Sequence, residues 1–230
     1  PPAPSRLMGR QCALHPSDVV QARLMMQPTL CMTGPLAAEL FYDKERFRRA
    51  GGAPEPVRAT LFGKGGVQSL DGEDHRHRKQ FFMAATSCES HQALLQAAEA
   101  QWHRLLPGWA GRGGLALYGM AQDWLARTAF AWAGIEVPDA QVPQRRRDLV
   151  ALFDRAALGV VPHLQSRAAR GRAVAWLSEL IEFARQGHGP FPEGSPAQAA
   201  AQLTDRDGRL LPARTAAVEL VNPGRPITRV

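Results

Sequence analysis

The chain has 230 residues, 45% of them hydrophobic, which suits one large or two small globular domains, and it nowhere runs the roughly 18 consecutive apolar residues that span a bilayer. Cys12, Cys31 and Cys88 are odd in number and widely separated, without CxxC spacing, which argues against a disulfide framework and a structural zinc site. The net charge of +7 admits nucleic acid as a partner, but the cations are mostly arginines, with only Lys44, Lys64 and Lys79 as lysines, and acidic residues are interleaved, so the charge reads as a solvated Arg-rich surface.

Pro1 to Arg10 carries no apolar core of the signal-peptide kind, and a cytoplasmic protein is the expectation. The first fifteen residues, punctuated by Pro and Gly, predict irregular chain. Ser17 or Asp18 then caps a predicted short helix, Val19 to Met26, which Pro28 stops. Thr29 to Met32 reads as a short strand and Gly34-Pro35 as a turn. Leu36 to Phe41 fits a helix, with a further helical turn around Asp43 to Phe47.

Gly51 to Pro56 is a loop by composition, and Leu61 to Gly66 is a glycine-rich stretch expected to be flexible. After the turn at Asp71-Gly72, a polar helix runs from Glu73 through Met83. Leu94, Leu95, Ala98, Trp102, Leu105 and Leu106 recur at helical spacing, and so do Trp124, Leu125, Thr128, Ala129 and Trp132. Two more amphipathic helices follow, Arg145 to Leu158 and Arg170 to Arg185, with Pro138, Pro143 and Pro162 falling between helices. Gly187 to Pro196 is a linker, Asp205 to Gly208 a turn, and Ala213 to Asn222 the last helix. The fold class is mostly α with a small β component.

The densest polar run is Asp71-Gly72-Glu73-Asp74-His75-Arg76-His77-Arg78-Lys79. His75 and His77 stand two apart and point to different sides of a helix, a poor chelating pair. His75 and Lys79 stand four apart on one face and can grip a carboxylate or phosphate, with Phe81 and Phe82 as an apolar floor beside them. The plainer reading is a solvated charged face. The five tryptophans read as helix-packing residues, and His91, His103, His163 and His188 carry no motif.

Several stretches together resemble the hydrogen-peroxide-dependent fatty-acid hydroxylases, bacterial peroxygenases of the cytochrome P-450 (heme-thiolate) superfamily. They are Phe41-Tyr42-Asp43 with Arg46-Phe47, Thr60 through Gly72, His75 through Lys79, Trp132-Ala133-Gly134-Ile135, Arg167 to Trp176, Asp207 to Leu211, Ala216 to Asn222, and Arg225-Pro226. The resemblance implies a single incomplete cytochrome P-450-like domain over residues 1–230, the N-terminal portion of that fold, ending within the central distal helix. It implies heme as cofactor, with His75 and Lys79 on a propionate and Gln68 in the distal pocket. Phe62 would line the fatty-acid channel. Arg225-Pro226 would replace the usual acid–alcohol pair, the Arg225 fork binding the substrate carboxylate, which then serves as the acid–base group for peroxide cleavage.

The implied function is hydroxylation of long-chain fatty acids at the α or β carbon with hydrogen peroxide, with no redox partner, nucleic acid or integral membrane segment. The chain departs from that pattern in two places. None of Cys12, Cys31 or Cys88 lies in the Phe- and Gly-rich loop that presents the axial thiolate, so no metal ligand is assigned. Pro223-Gly224 interrupts the last helix just before Arg225, and proline costs about 3 kcal/mol inside a helix. The expectation for the isolated chain is weak heme affinity and little turnover. The alternatives are an inactive fragment that binds heme or fatty acid weakly, and a basic helical nucleic-acid-binding protein.

Overall fold

A computed structural model describes residues 18–24, 27–43, 45–110, 114, 116–154 and 160–229. Expectations for the first fifteen residues, Cys12, Ser17, Met25, Met26 and Leu158 lie outside these. The described residues fall into two compact units that divide after Pro54.

The first unit holds an antiparallel hairpin and a short helix. Strand β1 is Val19–Leu24 and strand β2 is Gln27–Met32, in a register that sets Val19 opposite Met32 and Leu24 opposite Gln27. The helix expected from Val19 to Met26 is therefore a strand. Val19-Val20 is β-branched and favours extended backbone, and pairing with β2 satisfies the N–H and C=O groups that a lone short helix leaves to water. The Thr33 N–H closes the hairpin on the Asp18 carbonyl at 2.9 Å. The expected strand at Thr29 to Met32 is present within β2. Helix α1, Pro35–Tyr42, begins on a proline, whose missing N–H costs nothing at that position. No helix follows around Asp43 to Phe47. Asp43 Oδ1 accepts the Glu45 N–H at 3.0 Å and makes a turn, the side chain competing with helical backbone bonding.

The second unit is helical. A turn of α-helix at Glu55–Val57 passes into a π-helical stretch, Arg58–Phe62, and Val67–Ser69 forms a 3-10 turn. Helix α2 is Gly72–Ala85, α3 Cys88–Ala110, α4 Leu117–Ala133, α5 Val142–Asp154, α6 Val160–Arg185, α7 Pro196–Ala201 and α8 Ala213–Ile227. Pro143 and Pro162 lie inside the first turns of α5 and α6 rather than between helices, since the first N–H groups of a helix have no intrahelical partner to lose.

The core gathers Ala126, Phe130 and Trp132 of α4, Leu149 and Leu152 of α5, Val174, Leu177 and Ile181 of α6, and Ala216, Ala217, Leu220 and Val221 of α8. The tryptophans pack as their helical spacing implied. Trp102 meets Trp109 and Trp124 edge-on, and the Trp132 indole donates to Ser90 Oγ at 3.0 Å. No helix among the described residues is long and apolar enough to cross a membrane.

Helix α8 sits against α6 and α4 and does not stop at Asn222. Pro223 removes one backbone bond, at a cost of about 3 kcal/mol. Against that stand buried Leu220 and Val221, each worth ~1.5–3 kcal/mol, and side-chain bonds from Asn222 and Arg225 on either side of the proline. Packing outweighs propensity, and the helix continues until the Thr228 hydroxyl caps the Arg225 carbonyl at 2.9 Å.

Candidate functional site

The stretch expected to be flexible, Leu61 to Gly66, is instead clamped beneath α8. Gly63 and Gly66 are buried. Gly63 adopts a φ of 81°, and a Cβ there would come within 2.6 Å of Val218 Cγ1 and 2.8 Å of Arg170 Nη2. The glycines thus serve close approach of backbone to helix.

Three polar residues of α8, spaced three apart, hold this segment. Glu219, fully buried, takes a hydrogen bond from the Val67 backbone and receives Arg78 Nη1 of α2 at 2.8 Å. Asn222 donates from Nδ2 to the Phe62 carbonyl at 2.9 Å and to Gln68 Oε1 at 3.5 Å, and accepts from Arg170 Nη2 of α6 at 2.8 Å. Arg225 donates from Nη1 to the Leu61 carbonyl, and its guanidinium lies 4.7 Å over the Phe153 ring. Such a face over an aromatic ring is a modest cation–π attraction.

Electrostatics follow from burial. Desolvation pushes the Glu219 carboxyl above the ordinary value, with Arg78 pulling the other way. Desolvation lowers Arg170 to about 10, with a further push from Arg225, and lowers Arg225 as well. Arg225 Nε is buried and has no acceptor, a state it shares with the Nε atoms of Arg58, Arg78, Arg145 and Arg170.

Of the residues singled out in the sequence, Phe62, Gln68 and Arg225 belong to one hydrogen-bonded network centred on Asn222. Pro226 follows on the exposed side of α8. His75 and Lys79 lie one turn apart on α2, about 40° around its axis, His75 half-buried and Lys79 exposed. They connect to the network through their helix, since Arg78 beside Lys79 is the partner of Glu219. Phe81 lies in the core rather than forming an open floor, and Phe82 stacks edge-on against it at 5.6 Å. His77 Nε2 donates to the Thr204 carbonyl at 3.1 Å and docks α2 on the Thr204–Leu210 bridge.

Arg78, Arg170, Glu219 and Asn222 were not singled out in the sequence. A buried cation in a charged run and a carboxylate in an apolar helix become visible as a pair only once the helices cross. A cleft of about 550 Å³ between α4, α5 and α6, lined by Tyr118, Gln122, Asp148, Asp154 and Arg172, contains none of the predicted site residues. Many arginines are taken up in ion pairs: Arg104 and Arg127 with Asp139, Arg172 with Asp148, and Arg167 with Glu55.

A heme, implied by the fold family, can be tested against these residues. An exposed lysine with no ion pair among the described residues, one turn from a half-buried histidine, fits the acidic side chains of such a group. No cluster of three or more His, Cys, Asp and Glu among the described residues can hold a metal ion on its own, and heme iron asks the protein for a single axial thiolate. Cys31 is buried in β2, and Cys88 is exposed at the start of α3.

No family model matches the chain. Solved structures do. Cytochrome P-450SP alpha (CYP152B1), in complex with (R)-ibuprophen, is 43% identical, with a TM-score of 0.90 over 97% of this chain and 55% of that one. Cytochrome P-450EX alpha (CYP152N1) with myristic acid is 31% identical, with a TM-score of 0.88 over 96% of this chain and 53% of that one. A variant of cytochrome P-450 OleT in complex with arachidonic acid is 27% identical, with a TM-score of 0.88 over 96% and 54%. The chain therefore spans about half the length of the proteins it matches. Identity and fold agree over almost all of its residues, and the chain is similar to CYP152 cytochromes P-450 along about half of their length.

Proposed function

We propose that this chain provides the distal side of a heme-dependent fatty-acid hydroxylase site of the peroxygenase kind, acting in the cytoplasm without an electron-transfer partner. Arg225 receives the substrate carboxylate in its fork, Phe62 lines the acyl channel, and Gln68 stands in the pocket between them. His75 and Lys79 hold the acidic side chains of heme. When bound, heme supplies the chemistry that passes an oxygen atom of hydrogen peroxide to the α or β carbon of the acid. The carboxylate held by Arg225 accepts and returns the proton that peroxide cleavage requires, so the chain needs no acid–base side chain of its own there.

The observation that carries this reading is the continuation of α8 through Pro223 and Gly224. It leaves Arg225 half-buried, with Nη1 on the Leu61 carbonyl and its guanidinium over the Phe153 ring. Neither Cys31 nor Cys88 lies in a Phe- and Gly-rich loop of the kind that presents the axial thiolate, so no axial ligand is assigned. By itself the chain is expected to bind hemin weakly and to turn over little, which is where this reading meets the alternative of a binding fragment without catalysis.

The test separates the two grips. Hemin affinity is followed by absorbance and fatty-acid affinity by calorimetry in the wild type, in His75→Gln/Lys79→Met and in Arg225→Gln. The α2 pair is expected to lower hemin affinity about tenfold, the worth of one lost charge-assisted contact, and Arg225→Gln to lower fatty-acid affinity instead. Equal hemin affinity in all three proteins would remove the heme assignment from α2.

A further inference from the structure

Two arginines meet at one carbonyl. Arg170 of α6, only 3% exposed, donates from Nη1 to the Leu61 carbonyl at 3.1 Å and to the Thr60 carbonyl at 3.4 Å. Its Nη2 donates to Asn222 Oδ1 at 2.8 Å. Arg225 reaches the same Leu61 oxygen from α8, so both lone pairs of that oxygen are engaged. Glu219, the carboxylate within this network, is paired with Arg78. Three guanidiniums share one carboxylate here, and the cluster is short of negative charge.

We propose that Arg170 is a positioning residue for the carboxylate site: its grip on Leu61 and Asn222 fixes the loop end and the turn of α8 from which Arg225 projects. This rests on the reading of Arg225 as the group that receives the fatty-acid carboxylate. Arg170 does not itself touch the ligand: it is almost fully buried, with both of its terminal nitrogens engaged within the protein, whereas Arg225 is half-buried. Its contribution has two parts. By taking a share of the Leu61 carbonyl it weakens the hold of that oxygen on Arg225, and the Arg225 fork can turn to an incoming anion at little cost. By holding Asn222 Oδ1 it keeps that acceptor away from Arg225 and keeps Asn222 Nδ2 on the Phe62 carbonyl and Gln68. Without Arg170, the Leu61 oxygen would be held by Arg225 alone and the Asn222 oxygen would be open to it, and the fork would be satisfied internally.

The ligand that reads this arrangement is a single-headed carboxylate on an apolar tail, and the contrast that reports it is acid against alcohol of equal chain length. Decanoate and 1-decanol are titrated into the full chain by calorimetry, for the wild type, Arg170→Met and Arg170→Lys. The wild type is expected to prefer decanoate about tenfold, as a charged bidentate contact warrants. Arg170→Met is expected to lose most of that preference while 1-decanol affinity stays within about twofold. Arg170→Lys keeps the charge but cannot span the Leu61 oxygen and Asn222 together, so only part of the preference should return.

Equal weakening of both ligands would reduce Arg170 to a structural role, and full recovery in Arg170→Lys would show that charge alone matters; either result overturns the proposal. Should Arg170→Met fail to fold, Arg170→Lys decides by itself: a partial preference for decanoate supports the proposal, and a preference equal to the wild type's overturns it. A wild type without any preference for decanoate sinks the Arg225 reading itself, whereas a preference kept by every variant sinks only the role of Arg170.

Discussion

Arg78 and Glu219 face each other where α2 meets α8, with side-chain exposures of 10% and 0%, so neither charge is well solvated. Removing one partner of such a pair leaves the other buried and uncompensated, at a cost of about 3–5 kcal/mol, whereas replacing both with apolar side chains is often near neutral. Arg78→Met is therefore expected to lower urea stability by about that amount, and Arg78→Met/Glu219→Leu to recover most of it. Additive losses in the double variant would mean that the pair does not act as a unit. The sequence placed Arg78 in a charged run and offered a solvated face as its plain reading. Helical periodicity cannot tell which of Arg76, Arg78 and Lys79 turns inward, because each is flanked by polar neighbours. Arg225 was legible only through the resemblance; as a lone arginine after Pro-Gly it carries no signal. Its orphaned Nε and shared carbonyl belong to tertiary structure.

At the scale of elements, the segment from Thr60 to Gln68 shows where composition misleads. Glycines read as flexibility, yet here they are what permits close packing. Gly208, in the turn that starts at Asp205, has a φ of 78° and no atom within 4 Å of a built Cβ, while Gly63 has a φ of 81° and meets Val218 and Arg170 inside 3 Å. Gly208→Ala should cost only the left-handed backbone penalty, about 1–2 kcal/mol. Gly63, with a ψ of 146°, sits in a region only glycine adopts readily, so Gly63→Ala should cost about 1–3 kcal/mol of backbone strain and a further overpacking loss of about 1–3 kcal/mol, read as a larger fall in the midpoint of chemical unfolding. Comparable losses at the two positions would mean that the clamp beneath α8 yields easily. The strand at β1 and the passage of α8 through Pro223 escaped sequence reading for one reason. Local propensity is worth tenths of a kcal/mol per residue up to about 3 kcal/mol for proline, and pairing or burial can exceed it.

For the molecule as a whole, the long amphipathic helices were legible because each carries its apolar face over several turns, and α3, α4 and α6 contain the predicted spans almost unchanged. The division after Pro54 was not, since Gly51 to Pro56 reads as an ordinary loop and a contact boundary leaves no mark on composition. Among the described residues, the main core cluster draws only on those from Phe81 onward, with partly buried neighbours from the same stretch. The second unit begins at Glu55, whose carboxylate is bonded to Lys64 and Arg167 in the same unit. Folding of residues 55–230 should therefore not require the hairpin. A chain beginning at Glu55 is expected to retain the helical circular dichroism of that region and a cooperative urea transition. Its midpoint should match the main transition of the full chain, with a slope smaller only in proportion to the surface removed. A broad, non-cooperative transition in the shortened chain would mean that the core of the second unit depends on the first 54 residues, and the two units would then have to be treated as one folding body.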